Sequence, residues 1–395
     1  MWNENYRKLK KMLSIIRIEF IKLFLKFYLF FTPDIIFEPK KVKKVIVYAY
    51  TGLGNFILYT PALRTIKEFL PNASFTLLHG NDTGCQEVVK GTEFFDSFVA
   101  VKRDANWWTR IKWIYKLRKD KYNLVISEFH NNNLFMVLLT VFCGAKYRLG
   151  HVTSPGWQNE WDFIYNIPVR MKKYQHEISR YLELAYVLGI NKKHINVKPL
   201  FYLRNADRDW ANKFLKNNNV SKEKNVIISI QVGSSPTMRW KQWELDKYCE
   251  LCGKISDLPN TVIIYQGSPA ERKMIENIIN KMNQKQINAA GKTSLKQAAA
   301  LIEKSDLLIC NDSGLMHVAA AVDTPIIAIY GPTDFTRTAP CGEKHIIIRK
   351  NLSCSPCYRM EGAKKVENCP YNYKCLNSIT VNEVFEAVTT KLKSD

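Results

Sequence analysis

A short run of polar residues in the second half of the chain has the types and spacing to bind an anion. The stretch "CNDSGLMHVAAAV" (310–322) leaves an apolar run, passes through a Ser-Gly turn and enters an alanine-rich helical pattern. A helix that begins there directs its unbonded backbone N–H groups and its positive dipole end at a ligand. His317 lies one turn beyond Ser313, within reach of that ligand. The pattern predicts a phosphate or diphosphate site; helix capping by Asp312 and Ser313 is the structural alternative.

A second glycine pattern, "TGLGNFILYTP" (51–61), follows a strand-like run near the start of the chain. Its Gly-x-Gly spacing resembles the loop that holds the pyrophosphate of a dinucleotide, but Ile57 stands where that fingerprint needs a third small residue. The next strand also ends at His79 and not at the acidic residue that a nicotinamide cofactor requires. We therefore do not favour a dehydrogenase. Gly52 and Gly54 are expected to let the backbone approach a different ligand closely.

The elements that position these residues alternate between strands and helices. Strand-like runs such as "KVIVYAY" (44–50) and "NLVISEF" (123–129) are separated by helical patterns, and a second alternation starts at "NVIISIQV" (225–232). A polar stretch, 191–224, separates the two series. This predicts an α/β protein with two mainly parallel sheets and a cleft between them, where ligands bind at the carboxyl ends of the strands. Capping-box spacings predict helix starts at Ser294 and Thr380.

The charge balance predicts an anionic partner, and a basic surface that serves only to keep the protein solvated is the alternative. The 395 residues carry 58 Lys and Arg against 36 Asp and Glu, a formal net charge of +22. No cleavable signal peptide is evident, and Arg17, Lys22 and Lys26 interrupt the apolar segment 13–37 too often for a membrane span. We expect a basic amphipathic helix on an anionic membrane surface; a helix packed on the protein's own core is the alternative. No nucleic-acid recognition motif accompanies the charge, so nucleic acid is not an expected partner.

The anion-binding stretch belongs to a longer segment, "NDSGLMHVAAAVDTPIIAIYGPTD", which resembles the signature of glycosyltransferase family 9, the lipopolysaccharide heptosyltransferases. Other segments resemble the family in the same order along the chain: "GLGNFILYTPALRTIKEFLPNASFTLL", "HEISRYLELAYVLGI", "ISIQVGSSPTMRWKQWELDKYCELC" and "AGKTSLKQAAALIEKSDLLICNDSG". Each short segment alone would be weak support. The ordered series covers most of the chain after the N-terminal helix and is specific.

The resemblance implies a GT-B fold, in which two Rossmann-like domains face each other across a cleft. The expected division is an N-terminal membrane-associating segment (1–40), an acceptor domain (41–205), a nucleotide-sugar domain (206–380) and a C-terminal helix (381–395). The implied reaction is an inverting, metal-independent transfer of a heptose or related sugar from a nucleotide donor such as ADP-heptose. The implied acceptor is lipopolysaccharide core or another anionic, lipid-linked surface glycan, at the inner face of the cytoplasmic membrane.

The resemblance also implies roles for individual residues. Donor binding falls to Ser234, Ser235, Arg239, Glu271, Asp312, Ser313, Gly314, Met316 and His317. Acceptor binding falls to Gly52, Gly54, Asn55, His130 and His176. Of these, Asn55, Arg239 and His317 are the candidates that act on the reacting groups. A cation and helix N–H groups suit this chemistry because negative charge builds on the departing nucleoside diphosphate.

Two departures from the family pattern affect the mechanism. Gly54-Asn55 stands where the family usually has Gly-Asp, and an amide can orient an acceptor hydroxyl but cannot take its proton. Met238-Arg239-Trp240 replaces Lys-Arg-Trp, so one cation is missing unless Lys241 substitutes for it. Three interpretations stay open. Another base can act, with Glu128, His130, His151 and His176 as candidates; the reaction can depend less on a base; or the chain binds a nucleotide sugar without catalysis.

Four cysteines near the C-terminus, Cys354, Cys357, Cys369 and Cys375, include a C-x₂-C pair. Their spacing resembles a tetrahedral zinc site, although the second pair is wider than in a zinc ribbon. We favour structural thiols over a structural metal ion and expect no catalytic metal. Cys249 and Cys252 fit one helix face and predict core packing.

Overall fold

The computed structural model of the chain describes residues 2–32, 35–128, 133–153, 160–193, 195–282, 286–358 and 366–394. Within the first helix, it describes side chains from Ile16 onward. Two six-stranded parallel sheets dominate this part of the chain.

The first domain contains a helix that precedes its sheet and five that follow its strands. The strands are β1 (Lys44–Ala49), β2 (Ser74–Gly80), β3 (Ser97–Val101), β4 (Leu124–Ser127), β5 (Tyr147–Val152) and β6 (Ile167–Arg170). The helices are α1 (Trp2–Phe30), α2 (Leu53–Phe69), α3 (Cys85–Val89), α4 (Trp107–Lys119), α5 (Leu134–Phe142) and α6 (Glu177–Tyr186). The strand order is β3-β2-β1-β4-β5-β6, and all five pairings are parallel.

The second domain repeats this arrangement. Its strands are β7 (Val226–Gln231), β8 (Thr261–Gln266), β9 (Ile287–Asn288), β10 (Leu307–Asn311), β11 (Ile326–Ile329) and β12 (Ile346–Ile348). Its helices are α7 (Asn205–Asn217), α8 (Leu245–Ser256), α9 (Arg272–Ile279), α10 (Leu295–Lys304), α11 (Gly314–Ala321), α12 (Phe335–Thr338), α13 (Lys374–Asn377) and α14 (Val381–Ser394). The order is β9-β8-β7-β10-β11-β12, so β7 and β10 occupy the places of β1 and β4.

Each sheet reverses its strand order between two central strands, and a crevice opens at their carboxyl ends. In the first sheet the crevice lies between β1 and β4, and in the second between β7 and β10. The central strands form because apolar runs such as "VIV" and "LLIC" are covered by helices on both faces. Helix α2 packs against α11, which brings these crevices together: Ile57 of α2 and Val318 of α11 belong to one buried cluster.

The helix predicted to follow the glycine pattern begins earlier than expected. Its apolar pattern starts at Phe56, but α2 starts at Leu53, with Gly52 at its N-cap, so Gly54 and Asn55 lie in its first turn. The capping boxes at both predicted positions are confirmed: Ser294 with Gln297, and Thr380 with Glu383. Cys249 and Cys252 lie on α8, where buried Cys252 packs in the second core, as predicted.

One side of helix α1 packs on the protein, as the second of the two alternatives predicted, and the other side is exposed. Leu25 is fully buried in a cluster with α5 and the segment around Trp161, so one side of α1 packs on the protein's own core. The opposite side exposes a row of large apolar side chains, including Phe20, Leu23, Phe27 and Phe30. Across the described residues, no helix is long and apolar enough to cross a bilayer.

Candidate active site

The second-domain half of the site contains a buried ion pair. Asp312 directly follows β10 and is almost fully buried, and its Oδ2 lies 2.7 Å from Nζ of Lys241. Lys241 ends a short 3₁₀ helix, Pro236–Lys241, and its side chain is 14% exposed. The cation is therefore held beside the start of α11. This geometry supports the expectation that Lys241 compensates for the cation lost at Met238.

The start of α11 has no side-chain cap. Ser313 occupies the N-cap position, but its hydroxyl donates to Oε1 of Gln231 on β7 and not to the helix backbone. Asp312 is engaged with Lys241. The prediction that the Ser313 side chain caps the helix is therefore wrong. Its hydroxyl bonds instead to β7, a strand whose proximity the local sequence around Ser313 does not indicate. The uncapped N–H groups of α11 suit an anionic ligand.

His317 lies in the first turns of α11 and is almost fully buried. Burial lowers the pKa of its imidazole to about 4; Asp312 opposes this effect, whereas His176 and Lys241 add to it. The ring is neutral at neutral pH. Its Nδ1 is buried and has no hydrogen-bond partner within the described part of the chain. A ligand that carries negative charge would supply one.

A pocket of about 330 Å³ opens beside these groups, between the two domains. Leu53 of α2 lines it on the first-domain side. The second-domain lining residues are Gln231, Ser234, Ser235, Gly267, Ser268, Glu271, Thr293, Ser294, Leu295, Ala298, Gly314 and Leu315. The pocket thus extends from the start of α11 to Glu271, another of the predicted donor-binding residues.

Glu271 is oriented by its own turn. Its Oε2 accepts hydrogen bonds from the backbone N–H and the hydroxyl of Ser268, both at 2.6 Å. Its Oε1 is buried and accepts no hydrogen bond from any described residue. A Cβ on Gly233 would lie 1.6 Å from this oxygen, so a larger residue there would displace the Glu271 carboxylate. The carboxylate is preorganised and retains a free acceptor, as a ribose hydroxyl requires.

Of the four remaining predicted donor residues, two line the pocket and two do not. Ser234 and Ser235 line the pocket, with their hydroxyls bonded to the Met238 carbonyl and to Thr237. Arg239 is exposed on the 3₁₀ helix. Met316 is fully buried against Tyr330 and does not line the pocket.

The first-domain half of the site meets the second at Gly54. A Cβ on Gly54 would lie 2.6 Å from Cδ2 of His317 and 3.6 Å from the Cα of Gly314. The N-termini of α2 and α11 therefore touch, which is possible because Gly54 has no side chain. Asn55 lies next to this contact and is exposed, whereas a Cβ on Gly52 would meet nothing within 4 Å. Two positive helix ends converge here.

Glu128 lies directly beneath the segment that joins β1 to α2. It follows β4 and is almost fully buried. Its Oε1 accepts from the backbone N–H groups of Tyr50 and Thr51, and its Oε2 accepts from the Thr51 hydroxyl at 2.8 Å. Burial raises the pKa of this carboxyl to about 7, although the hydrogen bonds from Thr51 and Tyr50 oppose the shift. This carboxyl can exchange a proton near neutral pH.

The histidine candidates of the first domain are placed differently. His176 caps α6: its Nδ1 accepts from the Ile178 backbone and its Nε2 donates to the Ala339 carbonyl of the second domain, 3.0 Å away. His151 is buried, with Nε2 2.9 Å from the Arg180 carbonyl oxygen. His130 lies outside the described residues. His176 therefore holds the domains together, and its ring nitrogens are already engaged.

An aromatic pair near Lys241 was missed by sequence reasoning. The rings of Trp240 and Tyr358 lie 4.8 Å apart, and Nζ of Lys241 lies 5.5 and 5.9 Å from their centroids. Tyr358 directly follows Cys357, in a segment whose backbone hydrogen-bonds to Pro332. No spacing rule connects residues 241 and 358, so the sequence carried no signal for this contact.

The C-terminal cysteines are free thiols, and burial raises the pKa of Cys375 to about 11, with further contributions from Cys357, Cys369 and Cys354. Among the residues that the structure describes, no three His, Cys, Asp or Glu side chains form a metal-binding group. The structure therefore adds no support for zinc.

Comparison with known proteins decides the family. A sequence model of glycosyltransferase family 9 (heptosyltransferase) matches residues 110–366, which is more than half of the chain. The chain belongs to glycosyltransferase family 9. The enzyme is 25% identical over 357 residues to lipooligosaccharide heptosyltransferase 2 of Campylobacter jejuni, covering 89% of this chain and 99% of that protein. It is 30% identical to lipopolysaccharide core heptosyltransferase OpsX of Haemophilus influenzae, covering 75% and 82%.

Solved structures confirm the fold. The glycosyltransferase superimposes on the ADP-heptose lipopolysaccharide heptosyltransferase II of Escherichia coli with a TM-score of 0.71 at 22% identity, covering 89% of this chain and 99% of that one. The predicted GT-B architecture of two Rossmann-like domains is therefore confirmed. The pocket at the start of α11 lies at the switch point of the second sheet, where such a fold places a ligand.

Proposed function

We propose that this glycosyltransferase moves a heptose or related sugar from a nucleotide diphosphate donor to lipopolysaccharide core or a related surface glycan. The observation that carries the proposal is the interdomain pocket, which the uncapped start of α11 lines through Gly314 and Leu315. The Lys241 cation lies behind this helix start, paired with Asp312. The names of the relatives make ADP-heptose the first donor to test. We further propose that the transfer inverts the anomeric centre and needs no metal ion.

In this proposal the diphosphate lies at the start of α11. The helix N–H groups and Lys241 stabilise the negative charge that builds on the leaving nucleoside diphosphate. His317, neutral in the free protein, gains a partner there, and a nearby diphosphate favours its protonated form. The unpaired Oε1 of Glu271 accepts from a ribose hydroxyl at the other end of the pocket. No metal is needed where fixed cations and N–H groups supply this stabilisation.

Glu128 is proposed as the proton acceptor that Asn55 cannot be. The acceptor hydroxyl attacks the anomeric carbon opposite the leaving group; the new C–O bond forms as the bond to phosphate breaks. The hydroxyl proton passes to Oγ of Thr51, whose own proton passes to Oε2 of Glu128 along their 2.8 Å hydrogen bond. A carboxyl with a pKa of about 7 suits this role because it is partly ionised at neutral pH. Asn55 orients the hydroxyl.

Attachment to the cytoplasmic membrane face completes the proposal. The exposed apolar side of α1 and the formal charge of +22 suit a peripheral contact with anionic lipid. The acceptor is then an anionic, lipid-linked glycan on the same surface, and nucleic acid is not a partner.

Donor turnover tests the enzyme against the non-catalytic alternative. Purified protein is incubated with ADP-heptose or another nucleotide sugar, with and without a water-soluble core acceptor, and nucleoside diphosphate release is measured. Release that requires acceptor and falls in His317→Gln supports transfer. Tight donor binding by thermal shift, with no release under any acceptor, would establish the nucleotide-sugar-binding alternative instead. Metal analysis and turnover in a chelator test metal independence separately.

A further inference from the structure

Helix α4 exposes a row of large apolar side chains that no described part of the protein covers. Trp108 is 76% exposed, Ile111 51% and Tyr115 61%. Their spacing of three and four residues places them on one face of the helix. The opposite face is packed: Leu117 is buried, and the Trp113 ring lies 5.9 Å from that of Phe135 on α5.

The same face of α4 is strongly basic. Lys112, Lys116 and Lys119 are exposed beside the apolar row, and the helix contains no acidic residue. Nζ of Lys119 lies 4.5 Å from the Tyr115 ring centroid. Trp and Tyr flanked by lysines suit the headgroup boundary of a bilayer, where the rings lie among the lipid headgroups and the ammonium groups contact anionic phosphates.

Helix α4 and helix α1 flank α5 on the same side of the first sheet. The Tyr28 ring of α1 lies 5.3 Å from the Phe142 ring at the end of α5. From the other flank, Arg118 of α4 donates to the Phe142 carbonyl. The two helices with exposed apolar faces therefore both contact the end of α5.

The start of α4 is also tied to the acceptor side of the cleft. Arg110 of α4 donates to the Arg103 carbonyl at 2.8 Å, and Arg103 donates to the Tyr50 carbonyl at 2.9 Å. Tyr50 begins the segment that rests on Glu128. The exposed Trp108 thus lies at the end of α4 that adjoins the first-domain half of the site.

We propose that the outward face of α4 binds the surface of an anionic bilayer as a second contact beside α1. The first domain then rests on the membrane through its helical layer, and a lipid-linked acceptor enters the cleft from the bilayer along the start of α4. The inference rests on the proposed function, in which the acceptor is membrane-anchored, and adds the surface and orientation by which the enzyme reaches it.

Vesicle partitioning of the full-length protein tests the proposal. The probes are vesicles of phosphatidylglycerol and phosphatidylethanolamine, with phosphatidylcholine vesicles for comparison. Trp108→Ser/Ile111→Ser removes apolar contact, and Lys112→Gln/Lys116→Gln/Lys119→Gln removes charge. We expect each variant to bind anionic vesicles about tenfold or more weakly than the natural chain, with added salt weakening only the charge contribution. Turnover of a water-soluble acceptor stays unchanged.

A matched control removes an exposed aromatic ring elsewhere. Tyr371→Ser, in the second domain, alters a side chain that is 60% exposed and is expected to leave vesicle binding unchanged. If both α4 variants bind anionic vesicles as tightly as the natural chain does, the proposal is overturned and α1 is left as the membrane contact. Loss of a dimer in the Trp108→Ser/Ile111→Ser variant, with vesicle binding intact, would assign the face to a second copy of the chain and also overturn it. Absence of soluble-acceptor turnover in the natural protein would count against the proposed function itself.

Discussion

Glu128 and Asp312 occupy corresponding places in the two domains, each directly after the strand that pairs with the first strand of its sheet. Their surroundings differ. Asp312 is paired with the Lys241 cation at 2.7 Å, whereas the hydrogen bonds that Glu128 accepts from described residues are neutral and come from the backbone and hydroxyl of the segment 50–51. Burial therefore raises the Glu128 pKa to about 7, although the hydrogen bonds from Thr51 and Tyr50 and the charge of Arg103 oppose the shift.

The comparison shows how one fold position supports two chemical roles. In the second domain, the carboxylate holds a cation beside an uncapped helix, which suits the departure of an anionic group. In the first domain, the carboxylate can take or lose a proton near neutral pH, which suits deprotonation of a hydroxyl. The topology is shared, and the neighbouring side chains decide the chemistry.

Glu128→Gln is expected to have the largest effect on the transfer rate. The amide keeps the shape and can still accept from both backbone N–H groups while donating to Thr51, but it cannot accept a proton. We expect transfer to fall by about 10²- to 10⁴-fold, the range of a general base. Donor affinity, measured by thermal shift, should stay unchanged because Glu128 does not line the donor pocket. Thr51→Ser keeps the hydroxyl and should retain most activity, whereas Thr51→Val should not.

Retention of natural activity in Glu128→Gln would contradict the proton-acceptor role. It would favour the interpretation in which the leaving group departs early and no strong base is needed.

Lys241→Ala tests the role of the ion pair in the second domain. It removes the cation beside the proposed diphosphate site and leaves Asp312 buried without its ion partner, which costs about 3 kcal/mol or more of stability. We expect transfer to fall by about 10²-fold, the effect of losing one donor to developing charge. Urea unfolding and initial rates measure the two effects. The double variant Lys241→Ala/Asp312→Asn should regain stability but not activity; recovery of both would show that Lys241 acts only structurally.

The pH dependence of stability should distinguish Glu128, in the first domain, from His317, in the second. Glu128 has a raised folded pKa, so its contribution to stability falls as pH rises from about 4.5 to about 7, by about 3 kcal/mol. His317 has a lowered folded pKa, so its contribution falls as pH drops from about 6.5 to about 4, by about 3 kcal/mol. The two slopes oppose each other between about pH 4.5 and 6.5.

Single variants isolate the contribution of each of these two residues to the pH dependence of stability. Relative to the natural chain, Glu128→Gln should gain stability with rising pH across this window, and His317→Gln should lose it. Urea unfolding at intervals between pH 4.5 and 7 measures both. Parallel pH profiles in all three proteins would refute the two opposed titrations.

Gly54→Ala tests the contact between the two helix starts. Its Cβ would lie 2.6 Å from the His317 ring, so the domains or the ring must shift. We expect a loss of about 1–3 kcal/mol in stability, as for other overpacked sites. Gly52→Ala is the matched control, because its Cβ would meet nothing within 4 Å and its φ of −73° suits alanine. Equal thermal stability of the two variants would show that the helix starts do not constrain each other.

Asn55→Asp is expected to have the smallest effect. Asn55 is exposed in the first turn of α2, where a negative side chain stabilises a helix by about 0.3–1 kcal/mol. If Glu128 accepts the proton, the transfer rate of Asn55→Asp should change by less than about tenfold. Steady-state rates test this. An increase that also rescues Glu128→Gln would return the proton-acceptor role to position 55.

Much of the fold was predictable because its signals are local. Apolar β-branched runs, helical periodicity and capping boxes such as Ser294 with Gln297 depend on neighbouring residues, and the structure confirms them. The end of β10 and the start of α11 were predictable for the same reason. The start of α2 was not, because Gly54 and Asn55 are weak helix formers that become helical where α2 packs against α11.

Sequence by itself determined the two-domain α/β architecture, the place of the helix start at which we propose that the donor binds, and the substitution of Asn55 for the usual acid. Only the tertiary structure decided which groups come into contact: Lys241 with Asp312, His317 with the backbone at Gly54, and Glu128 with the segment after β1. It also decided that His176 joins the domains and that the α4 face is left uncovered. The reason is physical. Burial and the distance between side chains set pKa values and ion pairing, and both depend on contacts between residues far apart in the chain.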